Sequence, residues 1–279
     1  MADLQSPARI LPAVASMPAS PPVPNTATVP APAAAAPLLQ MVLAQTRIEL
    51  RLALRRGESV LITLIIPPVL LLFFGLVDLM PIPPDQRADF LVPGVLALAI
   101  MSTAMVSTGI ATAFERYYKV LKRLGASPLP RSGLLIAKIL SVVVIEAVQT
   151  LLIVGVATVV LGWRPTGAVA LVPVVLLLGT AAFGGLGLLM AGALRAEATL
   201  AVANGLYLLF LLLGGIVFPT AQLGPWLAGP AALLPSTALA DVLRGVLGTG
   251  ASTSLLSWGV LVGWAIVAPL AAARTFRWE

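Results

Sequence analysis

Residues 134–161 read LLIAKILSVVVIEAVQTLLIVGVATVVL, a long apolar run whose only charged side chains are Lys138 and Glu146. An α-helix rises about 1.5 Å per residue, so about 20 apolar residues cross the hydrocarbon core of a bilayer. A helix on the surface of a soluble protein would instead alternate an apolar stripe with a polar face. The run therefore predicts a membrane-spanning helix.

Five other runs of similar character flank this one. The chain has 279 residues, of which 59% are hydrophobic and 10% charged, whereas soluble domains average about 45–50% apolar and about 25% charged residues. We predict an all-α membrane protein with six transmembrane helices, at about 59–77, 91–113, 134–161, 168–193, 199–218 and 255–273. Pro67 and Pro68 predict a kink in the first span, because proline removes a helical hydrogen bond.

Two segments precede the first span. Residues 1–37 are rich in Pro and Ala, with prolines recurring from Pro7 to Pro37, and are expected to form a disordered tail. Residues 38–279 then form the transmembrane domain. Within it, residues 38–56 place Arg47, Arg51 and Arg55 on one helical face, and Leu43, Leu50 and Leu54 on another. This pattern predicts an amphipathic interfacial helix, although a positively charged flank that only fixes orientation is the alternative.

The charge distribution predicts that both termini are cytoplasmic. If the N-terminus lies inside, all but Arg87, Arg164 and Arg244 of the 17 Lys and Arg residues fall on the inner side. Cytoplasmic loops of membrane proteins carry this excess. The net charge of +6 is therefore expected to face anionic lipid, and nucleic acid is not an expected partner. The expected location is a bacterial inner (plasma) membrane, which the chain crosses several times.

Several kinds of chemistry are excluded by composition. The chain has no Cys and no His, which rules out zinc sites built from them, thiolate nucleophiles and a Ser-His-Asp triad. No Gly-Lys pair occurs, so the chain has no P-loop for binding the phosphates of ATP. We expect no catalytic residues, no metal and no cofactor in this chain.

The predicted inner loop, residues 115–133, carries a short amphipathic helix. Tyr117, Val120, Leu121 and Leu124 are spaced three and four residues apart and should share one face. Gly125, Pro128 and Pro130 should end the helix. Such a helix could act as a lever that passes a push from a soluble partner to the spans. The alternative is a basic loop that only obeys the orientation rule.

This loop resembles the signature of ABC-2 type permeases, the membrane subunits of ABC exporters such as those for daunorubicin resistance. That signature runs Glu-Arg, four variable positions often containing Gly-Thr, Leu-Lys-Arg-Leu, one variable residue and Ala-Thr-Pro-Leu-Pro. The chain matches it at Glu115, Arg116, Leu121, Lys122, Arg123, Leu124, Ala126 and Pro128–Pro130, with Ser127 for Thr. It departs from the signature at Lys119 and Val120, where Gly-Thr is common.

The predicted outer stretch, residues 219–254, gives a second match. ABC-2 permeases typically carry Phe-Pro, a Leu-Pro-Trp-Leu-like segment, Pro-x-Thr, Asp-x-x-Arg and a Gly-rich end. The corresponding residues here are Phe218-Pro219, Leu223–Leu227, Pro235-Ser236-Thr237, Asp241 to Arg244 and Gly248 to Gly250. Order and spacing agree, and the resemblance covers about residues 40–275.

The resemblance implies a half-transporter. Two permease subunits, identical or different, would pair, and each would dock an ABC ATPase subunit that binds ATP and Mg²⁺. The coupling residues it implies are Glu115, Arg116, Tyr117, Leu121, Lys122, Arg123, Leu124 and Pro128. It also implies an outer re-entrant segment, containing Pro219, Pro235, Asp241 and Arg244. Asp241 and Arg244 are spaced i, i+3 and could form an ordinary local salt bridge.

Polar and small residues inside the spans allow two interpretations each. Glu146 and Gln149 either line a substrate route, with Glu146 as a proton-linked site, or fix helix packing. Packing is also the expected role of Asn204. Glycines crowd the fourth span, where they either permit close helix packing or form a hinge: Gly179, Gly184, Gly185 and Gly187.

Three other functional classes compete with an ATP-driven exporter of a hydrophobic, drug-like or lipid-like substrate. An intramembrane enzyme would need a nucleophile or paired acidic motifs, and the acidic residues here are scattered. An ion-coupled secondary transporter using Glu146 remains the main alternative, although we find no convincing internal repeat. A membrane scaffold that transports nothing is the third.

Overall fold

The computed structural model describes residues 36–55, 57–77, 82–124, 128–216, 224–248 and 254–275. The predicted tail lies almost entirely outside this part of the chain. Every regular element in the described ranges is helical, with no strand among them. The described ranges contain eleven α-helices. In chain order they are α1 Leu38–Arg55, α2 Gly57–Leu76, α3 Pro84–Ile100, α4 Thr108–Tyr117, α5 Val120–Leu124, α6 Arg131–Val160, α7 Val172–Ala193, α8 Ala196–Leu213, α9 Pro225–Ala232, α10 Pro235–Leu247 and α11 Leu255–Thr275. A π-helical segment, Met101–Ser107, lies between α3 and α4, and a 3₁₀ turn, Val169–Leu171, comes before α7.

Five helices of the described part are long and apolar enough to cross a bilayer. They span Gln86–Tyr117, Ser132–Val160, Val169–Ala193, Ala196–Leu213 and Leu255–Thr275. The prediction of six transmembrane helices is therefore confirmed for five. The first predicted span coincides with α2, whose apolar part Leu61–Leu76 is shorter than a usual span. A sixth crossing is reached if α9 and α10, which meet at 76°, are counted as one broken span.

One continuous helix forms the centre of the domain. It combines α3, the π-helical segment and α4. Its apolar span, Gln86–Tyr117, has 32 residues, and 78% of the most apolar stretch is buried, against 22–44% for the other four helices. Its side chains form much of one large apolar core with α6, α7, α10 and α11. Sequence analysis predicted a shorter span here, 91–113, because its charged and proline-containing ends look like loop. The helix actually starts with Pro84 in its first turn, where proline is tolerated.

Close packing of α7 explains the glycines in the fourth span. A Cβ added to Gly187 would lie 2.6 Å from the backbone oxygen of Met105, and one added to Gly185 would lie 2.5 Å from the backbone nitrogen of Pro269. The backbones of the central helix and α11 thus approach α7 at these points. Small residues permit such contact in membrane proteins. The structure favours packing over a hinge as the role of these two glycines.

The amphipathic helix α1 lies against α6. Val42 and Gln45 are buried, while Arg47, Arg51 and Arg55 are exposed. Leucines of the predicted apolar face, such as Leu43 and Leu54, are also exposed. The helix therefore presents both a basic and an apolar surface away from the bundle, the arrangement that interfacial helices use in the headgroup layer.

We expect a substitution of Gly187 by Ala to destabilise the domain by about 1–3 kcal/mol, because the added methyl group overpacks a backbone contact. Gly205 on α8 is the matched control, since a Cβ there meets nothing within 4 Å. Gly205→Ala should be neutral or stabilising, because alanine is the better helix former. Thermal unfolding in detergent measures both. Equal midpoints for the two variants would contradict the close approach.

Candidate coupling and substrate sites

The elbow, residues 115–133, joins the central helix to α6. The α4 helix ends at Tyr117, and Lys119 adopts a left-handed backbone conformation with φ of 59°. The amide of Lys119 still donates to the carbonyl of Arg116 at 2.9 Å. The chain then forms the short helix α5, and α6 begins after Pro130. Gly125, Ala126 and Ser127 lie outside the described residues, as do the side chains of Arg123 and Leu124.

The prediction of one helix with a single apolar face was wrong. The break at Lys119 separates Tyr117 from Leu121, so the two side chains do not share a face. Tyr117 is 61% exposed and Val120 is 41% exposed, whereas Leu121 is fully buried. Leu121 packs with Leu134 at the start of α6, in a small apolar cluster that Leu129 and Leu135 complete. This packing, rather than helical periodicity, sets the orientation of α5.

Glu115 ties the elbow to two other helices through Lys138. The ammonium group of Lys138 on α6 lies 2.6 Å from a carboxylate oxygen of Glu115 and 3.2 Å from one of Glu49 on α1. Gln45 donates a further hydrogen bond to Glu49 at 2.9 Å. Lys138 is buried, and a buried charge is tolerated only when it is paired. The triad therefore joins α1, α4 and α6.

Arg116 ties the elbow to the end of α7. Its guanidinium donates to the backbone carbonyls of Gly192 and Leu194, where α7 ends. The last carbonyls of a helix have no intrahelical partners, and they carry the negative end of the helix dipole. A rigid guanidinium fork satisfies two of them at once. The adjacent Glu-Arg pair thus connects the elbow to α1, α6 and α7.

The outer face of the elbow is exposed and aromatic. Tyr118 is 66% exposed; its ring stacks on Phe114 with centroids 6.3 Å apart and meets Tyr117 edge-on. Beside these rings is a groove of about 650 Å³ between the elbow and the α7–α8 connection. Its charged lining residues are Arg116, Lys119, Lys122, Arg195 and Glu197. The groove is thus basic, and it suits an acidic surface.

Glu146 contacts Thr180 inside the bundle. The Thr180 hydroxyl lies within hydrogen-bonding distance of the Glu146 carboxyl group and, at 2.7 Å, of the Leu176 carbonyl. A hydroxyl has one proton, so it can donate to only one of these oxygens. The contact joins α6 to α7 inside the bundle, where Glu146 is buried.

Gln149 connects three elements one turn further along α6. It accepts a hydrogen bond from Thr103 in the π-helical segment at 3.1 Å and donates to the carbonyl of Thr63 on α2 at 2.9 Å. Glu146 and Gln149 are 1% and 2% exposed, respectively. Their contacts support the packing interpretation over a place on the substrate route.

Asn204 does not form the expected contact between helices. Its amide donates to the carbonyl of Leu200 in its own helix, and the residue is exposed. With Ser102, Thr63 and Tyr207 it lines a lateral cavity of about 200 Å³ between α2, the central helix and α8. Asn204 is therefore better placed than Glu146 to meet a molecule that enters from the side.

The outer segment has a half-buried arginine, Arg244, at its centre. The predicted pair forms, with Arg244 lying 3.2 Å from Asp241. Arg244 also donates to the carbonyl of Gly215 and lies over the ring of Phe90, 4.5 Å from its centroid. Arg244 therefore does more than form a local salt bridge, because it joins α10 to the end of α8 and to α3. Pro235 is in the first turn of α10 and buried, whereas Pro219 lies outside the described residues.

These features define a polytopic α-helical membrane protein whose helices are joined, at one end of the bundle, by a braced elbow with an exposed face. The chain belongs to the ABC-2 type transporter family, whose model matches residues 40–247. The ABC-2 membrane domain is a non-catalytic permease domain, and such permeases generally pair with an ABC ATPase. No curated protein matched the chain.

Sequence reasoning missed two members of the triad. Lys138 sits inside an apolar span, and Glu49 is the only acidic residue of α1. Lys138 is an isolated positive charge in an apolar run, and Glu49 is an isolated negative charge among arginines. These isolated charges were the sequence feature that could have indicated an ion pair. Their pairing depends on how α1 packs on α6, which no local pattern encodes.

We expect Lys119→Gly to be more stable than Lys119→Ala by about 1 kcal/mol. Both variants remove the charge, but only glycine adopts the left-handed conformation without steric cost. Thermal unfolding of the full chain in detergent measures the difference. An alanine variant as stable as the glycine variant would show that Lys119 is not held at positive φ.

Glu146→Gln is expected to fold with a thermal midpoint close to that of the wild type, because the amide keeps the side-chain volume and can hydrogen-bond to Thr180. Glu146→Ala should be clearly less stable, since it leaves a cavity and removes the partner of Thr180. Thermal unfolding of both variants in detergent measures the difference, and equal midpoints would contradict a packing role.

Proposed function

We propose that this chain is the membrane-spanning subunit of an ATP-driven exporter that moves a hydrophobic, drug-like or lipid-like molecule out of the cell. ATP and Mg²⁺ would bind to a separate ABC ATPase subunit. The proposal rests on one observation. In a chain of the ABC-2 family, the elbow exposes one face and is joined by side-chain contacts to α1, α6 and α7.

The elbow has the properties that coupling requires. A partner pressing on Tyr117 and Tyr118 would displace a segment that Leu121 anchors to α6 and Arg116 anchors to α7. The basic groove beside it favours an acidic partner surface, because opposite charges speed association and select partners. The soluble ATPase is the partner that these contacts would serve.

The orientation that fits this role places the elbow and both termini in the cytoplasm. Lys and Arg residues concentrate on the elbow side of the predicted spans, as the positive-inside rule requires. The α6 helix has 30 residues, about 45 Å at 1.5 Å per residue, which exceeds a hydrocarbon core of about 30 Å. Its first turns, with Lys138, can therefore lie at the inner boundary.

The exported molecule is proposed to be hydrophobic because one cavity among the spanning helices is apolar and large enough for a drug-sized molecule. A cavity of about 470 Å³ between α6, α7 and the central helix is lined almost wholly by apolar side chains, including Val143, Leu151, Trp163 and Leu176. Drug-sized molecules occupy pockets of about 300–1,000 Å³. A second permease subunit, identical or homologous, would cover part of the exposed apolar surface of the helices, and lipid the rest.

The ion-coupled alternative depended on Glu146 as a charged site near the middle of the membrane. Its contact with Thr180 supports a packing role instead. We therefore propose ATP coupling, with binding and transport depending on a partner ATPase rather than on an ion gradient.

The decisive experiment measures the ATPase activity of an ABC ATPase subunit encoded beside this chain, with and without the chain in lipid. We expect the two to copurify and the activity to change. Tyr117→Ala and Tyr118→Ala should weaken copurification at least tenfold, because each truncates an exposed aromatic anchor.

Trp226→Ala is the matched control. Trp226 is also aromatic and is 76% exposed, but it lies on α9, away from the elbow. It should leave copurification unchanged. Gradient-driven flux by the chain alone, with no ATPase association, would instead make the protein a secondary transporter.

A further inference from the structure

The apolar cavity between α6, α7 and the central helix has an end wall on the side away from the elbow. Trp163, Pro165 and Val169 contribute to this wall from the connection between α6 and α7, and Leu247 contributes from the last position of α10. Within the connection, residues 164–168 form a segment without helical structure, which we call the strap. The strap and the end of α10 therefore meet beside the cavity.

Three hydrogen bonds hold the strap on α10. The amides of Thr166 and Gly167 donate to the carbonyl of Leu247, at 3.1 and 3.3 Å, and the Thr166 hydroxyl donates to the carbonyl of Gly248 at 2.7 Å. The last carbonyls of a helix have no partners within that helix. The strap supplies donors to carbonyls at this end, so it caps α10.

The strap approaches α10 backbone to backbone, at two glycines. A Cβ added to Gly167 would lie 2.6 Å from the backbone nitrogen of Gly248, and closer still to the carbonyl oxygen of Val246. Gly248 has a φ of 83°, a left-handed conformation that glycine adopts without steric cost. Any side chain at position 167 should therefore separate the strap from α10.

Little apolar packing holds the strap in place. Its residues are exposed, apart from the half-buried Pro165. Trp163, just before the strap, is buried instead, and its indole donates to Asp89 on α3 at 2.8 Å. Segments with exposed hydrogen bonds and few buried apolar contacts open locally at low cost in free energy. The strap is thus the part of the end wall that opens most easily, next to a fixed tryptophan.

We propose that the strap is the outer gate of the apolar cavity. While the strap is bonded to α10, the cavity is shut at this end; when the strap leaves α10, the cavity opens to the water outside. The inference rests on the proposed function, which places this end of the bundle outside and the exported molecule in the cavity. It adds the exit, which lies between Pro165 and Leu247.

The α6 helix connects this gate to the elbow. It begins after Pro130 at the elbow and ends at Val160, four residues before the strap. Leu121 packs on its first turn, and Val143, Ala147 and Leu151 of the same helix line the cavity. A displacement of the elbow therefore acts on a single helix that also forms a cavity wall and leads into the strap.

The test measures access to the cavity from outside, without ATPase or nucleotide. The chain has no cysteine, so one introduced cysteine reports alone. Thr150→Cys places the thiol in the cavity wall. Val148→Cys is the matched reporter, because Val148 lies on the same helix, is 46% exposed and does not line the cavity. A membrane-impermeant maleimide is added outside right-side-out vesicles that contain the full chain, and both thiols should react slowly.

Two strap variants should speed the labelling of Thr150→Cys. Thr166→Val keeps the side-chain volume and removes one hydrogen bond, which should raise the open fraction, and with it the labelling rate, about two- to tenfold. Gly167→Ala should raise the rate further, because its methyl group meets the backbone of α10. Thr158→Val is the control, since Thr158 is exposed on α6 and bonds its own helix; it should change nothing.

A second measurement locks the strap. Thr166→Cys and Leu247→Cys, combined in one chain, are bridged by a short bifunctional thiosulfonate. With the ATPase subunit present, the bridge should reduce ATP-driven export of a neutral lipophilic dye at least tenfold, and a reductant should restore it. Each single-cysteine variant treated with the same reagent is the control and should export normally.

The outcomes separate the gate from the exporter function. Labelling of Thr150→Cys that neither Thr166→Val nor Gly167→Ala speeds would overturn the gate, as would undiminished export by the bridged protein. Equal acceleration at Val148→Cys would also overturn it, because the whole bundle would then have loosened. If the unbridged protein exports nothing, the exporter function fails, while the labelling still decides whether the strap opens. Thr166→Val keeps the test valid if Gly167→Ala fails to fold.

Discussion

The pairing of Lys138 with Glu49 and Glu115 is the interaction on which the elbow depends. A lone ammonium group among buried side chains would be prohibitively unstable, so the three helices that carry these residues must meet where they do. Losing either carboxylate would leave the other to balance Lys138 alone. This dependence makes α1 part of the transport domain, although its sequence resembles a simple interfacial anchor.

The elements that the sequence predicted well are those whose cause is local. A span needs length and apolarity, and residues 134–161 show both without reference to any other helix. Asp241 and Arg244 were likewise paired correctly, because i, i+3 spacing brings such side chains together. Predictions failed where distant residues decide the outcome. Gly215 and Phe90 reach Arg244 from other helices, and no spacing rule identifies them.

The elbow shows how a tertiary contact overrides a regular pattern. Tyr117, Leu121 and Leu124 fit a helix of period 3.6, yet the helix breaks at Tyr118 and Lys119, and Leu121 is buried against Leu134. The sequence around Lys119 contains no glycine or proline that would mark the turn. A left-handed residue there interrupts the helix, and its cost is offset by the packing it permits.

The π-helical segment Met101–Ser107 has a consequence for everything that follows it. A π turn holds one residue more than an α turn, so it offsets the angular phase of the helix by about 100°. Without this offset, Glu115 and Arg116 would be rotated by about 100° from the partners that they contact here. Removing one residue from the segment would therefore rotate Glu115 and Arg116 about the helix axis. The length of the central helix would change little. The π-helical segment in the middle of the bundle thus sets the direction in which the central helix presents Glu115 and Arg116 at its end.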